Sequence, residues 1–420
     1  MKILLKKAKI ISNQVSINGL VMDILVEDGK IVAIEEVISD SSGVIVESDN
    51  LCVSVGWFDM GCKLGDPGYE YKEDITSGTN AAMAGGFTEL ACLPNTKPCI
   101  QNKENIYYIH SKSKELPVNI HVIAAATENL QGKQMSEILD LMQAGAVAFS
   151  DGGHTIEDSG MMVRLIQYLS QVNGILMVHS DDKSLSLHGV MHEGEQSVFL
   201  GQKGIPSVSE DIIVDRNLSL LKYTQGSLHF SKISTSGSVE KIRKAKAEGL
   251  KVTCDVAVAN LVYDDGYLVS FDTNYKINPP LRSKNDKEEL WKGLKDGTID
   301  VIVTDHAPQD EESKNLEFDQ ADFGMIQLET AYSLLNISNS VLELSELIDL
   351  ISRKPRELLN LKVPQIKVGE EANLTVFDPG KNWIYDKVKS KSRNSPEIGN
   401  TLTGKVLAIF NKNQFIDLRN

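Results

Sequence analysis

Eight short apolar runs divide the middle of this chain, and they restrict its fold more than any other feature. They read CVSVGWFD, TELACLP, NIHVIAA, AVAFSD, ILMVHS, LHFSKIS, LKVTCDV and DVIVTDH. Between them lie segments with helical spacing, among them SEILDLMQAG, SGSVEKIRKAKAEG and NDKEELWKGLKDG, each ending on Gly as a helix stop signal. Eight buried strands alternating with helices are the count for a closed (β/α)8 barrel of the TIM type, an α/β fold. An open doubly wound sheet is the alternative arrangement of such runs.

The two ends of the chain have a different texture. LLKKAKIISN, GLVMDILVEDGKIVAIEE and GVIVES cluster β-branched residues, with a hairpin turn expected at Asp28-Gly29. NLTVFDPGKNWIY and LTGKVLAIFNKNQFIDL repeat that texture near the other end. Residues 1–54 with 365–420 are therefore expected to form one small β-sandwich domain, and residues 55–364 the barrel. Two connections are long, one after His179 and one after Pro308, as expected of loops that cover a site.

Charge narrows the function classes. Lys and Arg number 43 against 58 Asp and Glu, a net charge of -15, which argues against nucleic acid and anionic membrane surfaces as partners. No run approaches the roughly 20 apolar residues of a membrane span. The start, MKILLKKAKI, has no uninterrupted apolar stretch and does not read as a signal peptide. Five cysteines, at 52, 62, 92, 99 and 254, show no CxxC pairing and read as reduced, buried thiols of a cytoplasmic protein.

Barrel chemistry sits where strands end. The runs here end at or beside Asp59, Asn95, Asp151, His179, Lys232, Asp255 and Asp305, with the third run ending in small residues. An Asp at a strand end is commonly the N-cap of the next helix, and a lone His is commonly a satisfied polar residue. The ensemble on one rim, with His179 and Asp305-His306, points instead to a site.

Several of these segments resemble dihydroorotase motifs. PNTKP at 94–98 is similar to the segment that places a substrate-binding Asn. NPPLR at 278–282, TDHAP at 304–308, FSDGG at 149–153 and VHSDD at 178–182 match four more, and GEEANLTVFDP resembles the return into the small sheet domain. The likeness runs over essentially the whole chain. It implies an amidohydrolase-type barrel, a zinc-dependent hydrolase acting on cyclic amides, Asn95 and Asn278 as substrate-binding positions, and Asp305 as general base.

The departures concern the metal. The family pattern DLHVHLREPGY stands here as Asp59-Met60-Gly61-Cys62-Lys63-Leu64-Gly65-Asp66-Pro67-Gly68-Tyr69. The two ligand His are replaced by Gly61 and Lys63, and the carboxylate-binding Arg by Gly65. HVST becomes Lys232-Ile233-Ser234-Thr235, losing another ligand, and the last His of TDHAPH is Gln309. Asp151, His179 and Asp305 remain, three ligand positions of six. A hydrolytic zinc needs three protein ligands in fixed geometry, and an ammonium opposes a cation.

The resulting expectation is a dihydroorotase-like protein of pyrimidine biosynthesis, catalytically silent and without a cofactor, with Asp305 a vestigial base. The resemblance implies aspartate carbamoyltransferase as partner and a homo-oligomer. An active divergent cyclic amidohydrolase using zinc is one alternative, with His154, His188 or His192 rebuilding a metal site. A metal-free binder of a small anion, using Lys63 and Lys232, is another. A hydrolase acting through Cys62 lacks a His expected beside it. Lys63 and Lys232 are expected to replace the metal charge, an ammonium lying within about 4 Å of Asp151 or Asp305.

Overall fold

The structure, a computed structural model, describes residues 1–13, 17–39 and 42–419. All eight apolar runs are strands, and they lie side by side in chain order in one parallel sheet. The strands are Trp57–Cys62, Phe87–Cys92, Asn119–Ala125, Ala146–Ser150, Leu176–Val178, Ser227–Phe230, Lys251–Ala257 and Val301–Val303. The sheet bends until its ends meet. The Lys63 N–H donates to the His306 carbonyl at 2.9 Å. Asp59 accepts from the Thr304 N–H at 2.7 Å and from its hydroxyl at 2.8 Å. The fold is thus an eight-stranded barrel, and the open-sheet alternative falls away.

Side chains fill the barrel in the alternation that strands impose. Phe58 and Met60, Ala91 and Leu93, and Val301 and Val303 point inward, and Leu359 completes this cluster. Small Ala91, Ala148 and Ala257 leave room for bulky Phe58, Met60 and Met177. The opposite faces carry Trp57, Leu90, Val122 and Val256 into a second core beneath the helices. Local signals start those helices. Thr235 caps Ser236–Ala247 and Ser283 caps Lys284–Lys295, each accepting a hydrogen bond from the backbone three residues on. Gly145 ends Ile138–Ala144 with φ 111°, a conformation that favours glycine.

The tails build one continuous sheet. Lys2–Ile10 pairs with Val21–Glu27, which pairs with Lys30–Glu35, while Leu374–Ile384 joins Cys52–Val55 to Thr401–Asn411. Asp28 and Gly29 form the expected turn, with φ 45° and 75°. A side chain at 29 would also meet Asn413 Oδ1 at 2.2 Å. Among the described residues no helix is long and apolar enough to cross a membrane, and all five cysteines are free and buried.

A buried ion pair inside the barrel is also met by the sheet domain. Arg356 is 0% exposed and donates to Glu89 Oε1 at 2.9 Å, and to the carbonyls of Gly56 and Ser352 at 2.7 Å each. Asn373 of the sheet domain reaches the same Glu89 oxygen at 3.1 Å. Burial pushes the Glu89 carboxyl up, but the Arg356 charge and the His121 contact outweigh it and hold the pKa at about 2. A depressed carboxyl pKa stabilises the fold above its ordinary value of 4.5, and that contribution is lost as pH falls towards 2. Chemical unfolding should show this loss. Arg356→Met should cost about 3–5 kcal/mol, because Glu89 is then buried without its partner; a cost within about 0.5 kcal/mol, the usual range for surface changes, would show that the pair is not needed.

Candidate functional site

The strand ends converge at the barrel mouth, but their carboxylates are already engaged. Asp151 faces the end of the third strand. Its Oδ1 accepts from the Thr127 N–H at 2.9 Å and its Oδ2 from the Thr127 hydroxyl. Burial raises the Asp151 pKa against the pull of those bonds. Thr127 was hidden in the sequence behind the alanines that end the third run, and nothing in its immediate neighbours marked it. Asp255 is spent in a similar way. It accepts from the Lys232 N–H at 2.7 Å and pairs with His229 Nε2 at 2.8 Å.

Lys232 points its ammonium into the mouth. Nζ lies 2.8 Å from Asp305 Oδ1 and 3.1 Å from the Asn278 carbonyl. The two side chains are only 7% and 8% exposed. Both residues have left-handed backbone, φ 57° and 48°, so the strand ends are turned sharply to aim them. Asn278 thus enters the site through its backbone carbonyl, where the resemblance implies a substrate-binding residue.

Lys63 behaves differently. Its ammonium has no hydrogen-bond or ion-pair partner among the described residues. Removal from water, then the charge of Lys232, pulls its pKa down to about 8, with Asp305 opposing. His179 lies within electrostatic reach of both lysines, is 3% exposed, and neither ring nitrogen has a partner. Burial and the charge of Lys232 hold it neutral, with a pKa of about 3. Asn95 packs on Gly152, and its buried Oδ1 is also unpartnered.

Two losses are built into the backbone. A Cβ at Gly61 would lie 2.9 Å from the Val303 side chain across the barrel seam. Gly65 has φ 67°, and a Cβ there would meet the Glu73 and Tyr69 carbonyls at 2.6 and 2.8 Å. Neither position accepts a larger residue without rearrangement. Gln309 donates to the Phe323 carbonyl at 2.7 Å and accepts from Lys72, which ties it to the loop after the eighth strand.

The other candidates do not assemble. His188 is exposed, and His192 Nδ1 lies 3.4 Å from Arg282 Nη1, so its neighbour is a cation. His154 is exposed, its pKa lowered by partial desolvation and then by Lys183 and Lys63. Cys62 is fully buried, with its thiol against the Ala91 carbonyl and its pKa pushed well up by burial. Sequence reasoning missed Glu73, which pairs with His306. His306 Nδ1 accepts from the Gln327 N–H at 3.2 Å, so Nε2 carries the proton towards Glu73 Oε2, 3.3 Å away. Among the described residues no three His, Cys, Asp or Glu side chains are grouped to hold a metal ion. The residues present therefore do not fit the family's zinc centre.

A cavity of about 230 Å³ opens beside Lys63, lined also by Lys72, Glu73, Asn95 and Gln309. A larger groove of about 920 Å³ lies at the other end, against the strand starts at Leu176, Ser227 and Lys251. Barrel sites form at the strand C-termini, so the smaller cavity is the relevant one.

Residues 52–238 match the dihydro-orotase-like family model. The chain is 40% identical over 414 residues to the dihydroorotase of Syntrophus aciditrophicus, covering 97% of each protein. It is 42% identical over 409 residues to that of Acetivibrio thermocellus, covering 96% of each. L-hydantoinase (dihydropyrimidinase) from Arthrobacter aurescens has the same fold, with a TM-score of 0.84 at 21% identity over 99% of this chain and 96% of that one. The barrel thus shares that hydantoinase's fold, and with relatives matched at this identity over nearly its full length, the chain belongs to the dihydroorotase family.

Proposed function

We propose that this dihydroorotase-like protein of pyrimidine biosynthesis is catalytically silent and acts as a structural partner of aspartate carbamoyltransferase. The observation that carries the silent reading is the Lys232–Asp305 pair, 2.8 Å apart and nearly dry. The ammonium engages the carboxylate of the general-base position, and its charge opposes a cation that would activate water there. The crowding at Gly61 and Gly65 supports the same reading, since it closes a metal-ligand position and the carboxylate-binding position together.

The partnership rests on family analogy. A chain that keeps its fold along nearly the full length of its relatives while departing at three of six metal-ligand positions needs another role, and assembly is the role that the fold alone can serve.

Protein purified with added zinc should neither form nor hydrolyse dihydroorotate above background. Turnover on the order of 1 per second or more, an ordinary enzyme rate, would establish the active, zinc-using alternative. The ion pair is tested separately by urea unfolding. Lys232→Met should cost about 3–5 kcal/mol by leaving Asp305 buried and unpaired. Adding Asp305→Leu should recover most of that loss; if it does not, the lysine is not acting as a replacement for metal charge. For the partnership, affinity capture of this protein from its native cell should recover aspartate carbamoyltransferase. Capture that repeatedly yields none would remove that part of the proposal.

A further inference from the structure

The groove at the strand starts holds a polar cluster that the mouth does not use. Alternation along the seventh strand turns Thr253, Asp255 and Ala257 towards the barrel interior. The parallel register sets His229 of the sixth strand against Thr253. Three side chains therefore meet. His229 Nδ1 lies 2.9 Å from Thr253 Oγ1, and Nε2 lies 2.8 Å from Asp255 Oδ2. The side chains of His229 and Asp255 are only 1% and 2% exposed, whereas Thr253 is half-buried and lines the groove of about 920 Å³.

Hydrogen bonding fixes the roles. Asp255 takes the Lys232 N–H on Oδ1 and the His229 ring on Oδ2. A carboxylate oxygen only accepts, so the imidazole proton sits on Nε2. Nδ1 is then the acceptor, and the Thr253 hydroxyl donates to it. A hydroxyl donating to an imidazole that a carboxylate orients is the arrangement of an activated nucleophile. A contact that only satisfied a buried histidine would need no opening. Here the hydroxyl borders a groove whose volume falls in the range of about 300–1,000 Å³ usual for small-molecule sites.

We infer that this groove hydrolyses esters of short-chain carboxylic acids, with Thr253 as nucleophile, His229 as base and Asp255 holding the imidazole. The walls support that substrate class. Ile175, Leu250 and Leu358 offer partly exposed apolar surface for an acyl chain. Among the described residues no carboxylate lines the groove, and Lys251 is its one charged side chain. The side-chain amides of Asn173 and Asn360 also line it and make no hydrogen bond among the described residues, so donors are available to a developing oxyanion. In the first step Thr253 Oγ bonds to the ester carbonyl carbon while its proton passes to His229 Nδ1. The bond to the alcohol oxygen breaks, the alcohol leaves with that proton, and the acyl group stays on Thr253. Water then attacks this acyl ester and gives a proton to Nδ1. The acid departs and Thr253 Oγ takes that proton back. The inference rests on none of the readings of the mouth.

The test follows p-nitrophenol release from p-nitrophenyl butyrate by the full chain, with chelator present so that no metal contributes. Saturable turnover above a free-imidazole background is expected. Thr253→Val keeps the side-chain shape and should lower the rate at least about 100-fold, the lower end of what a positioned base contributes. Thr253→Ser should restore much of it. Asp255→Asn should lower kcat with little change in KM, because an amide in place of the carboxylate turns the imidazole to the wrong tautomer. A fluorophosphonate, which leaves a stable ester on an activated hydroxyl, should label Thr253 of the unaltered protein and stop release, a check that stands even if a variant folds poorly. Release no faster than imidazole, undiminished release by Thr253→Val, or fluorophosphonate label absent from Thr253 would overturn the inference. Unchanged kcat in Asp255→Asn would overturn the part given to Asp255.

Discussion

The barrel depends on a carboxylate latch at its seam. Asp59, in the first strand, accepts from both the N–H and the hydroxyl of Thr304 at the end of the eighth. Without that closure the eight strands are an open sheet with two bare edges, and their C-terminal ends do not face a common mouth. Asp59 is buried, and burial raises its pKa to about 6 against the pull of the two Thr304 bonds. The same device recurs around the rim. Asp151 takes the N–H and hydroxyl of Thr127, and Glu210 takes the N–H and hydroxyl of Ser234. In each case a carboxylate at the rim fastens one segment to the next. A rim rich in acids is therefore a structural necessity of this barrel before it is a catalytic resource.

That distinction explains which changes the fold tolerates. In a metal enzyme the strand-end ligands share their charge with a cation, and removing the cation leaves carboxylates confined together. Asp151 meets this by its two bonds to Thr127, and Asp305 by the Lys232 ammonium. The lysine is itself held by Asp255, whose carboxylate receives the Lys232 N–H and fixes its left-handed turn. One ammonium thus fits into a frame already shaped to aim a side chain at Asp305. Lys63, just past the end of the first strand, has no carboxylate in contact among the described residues, and the asymmetry between the two lysines is what gives the mouth its residual charge.

Much of this was legible in the sequence, and the reasons are local. The apolar runs report burial on both faces, which only a covered parallel sheet supplies. Asp28-Gly29 encodes its own turn through backbone preference. The expected approach of a lysine to Asp305 follows from charge alone, and Lys232 makes it. The rest depends on distances that the closed barrel creates. Nothing near Glu73 announces His306, which lies 233 positions away, and Thr127 reads as the end of an alanine run. Nor does sequence tell that Asn278 offers its carbonyl in place of its side chain, or that Lys232 takes Asp305 and leaves Lys63 unpaired. Side-chain direction at a strand end is set by φ, and the positive values at Lys232 and Asp305 have no signal in residue type.

The loop after the eighth strand covers the mouth, and in barrel enzymes such a cover opens to exchange substrate. Here lysines fasten it. Lys276 donates to the carbonyls of Phe318 and Asp319 at 2.6 and 3.0 Å, and Lys314 to those of Asp322 and Gly324 at 2.9 and 3.1 Å. Lys72 adds a link from the first loop to Gln309 and Asp322. Opening this loop would expose several charge-assisted bonds at once, each worth about 1.5–3 kcal/mol. The cavity beside Lys63 nevertheless remains open, because its walls come from the first and second strand ends as well as from the loop. A ligand entering there meets a site that is formed in advance, with the loop already in place. A loop pinned in this way lowers the ordering cost of whatever the mouth binds.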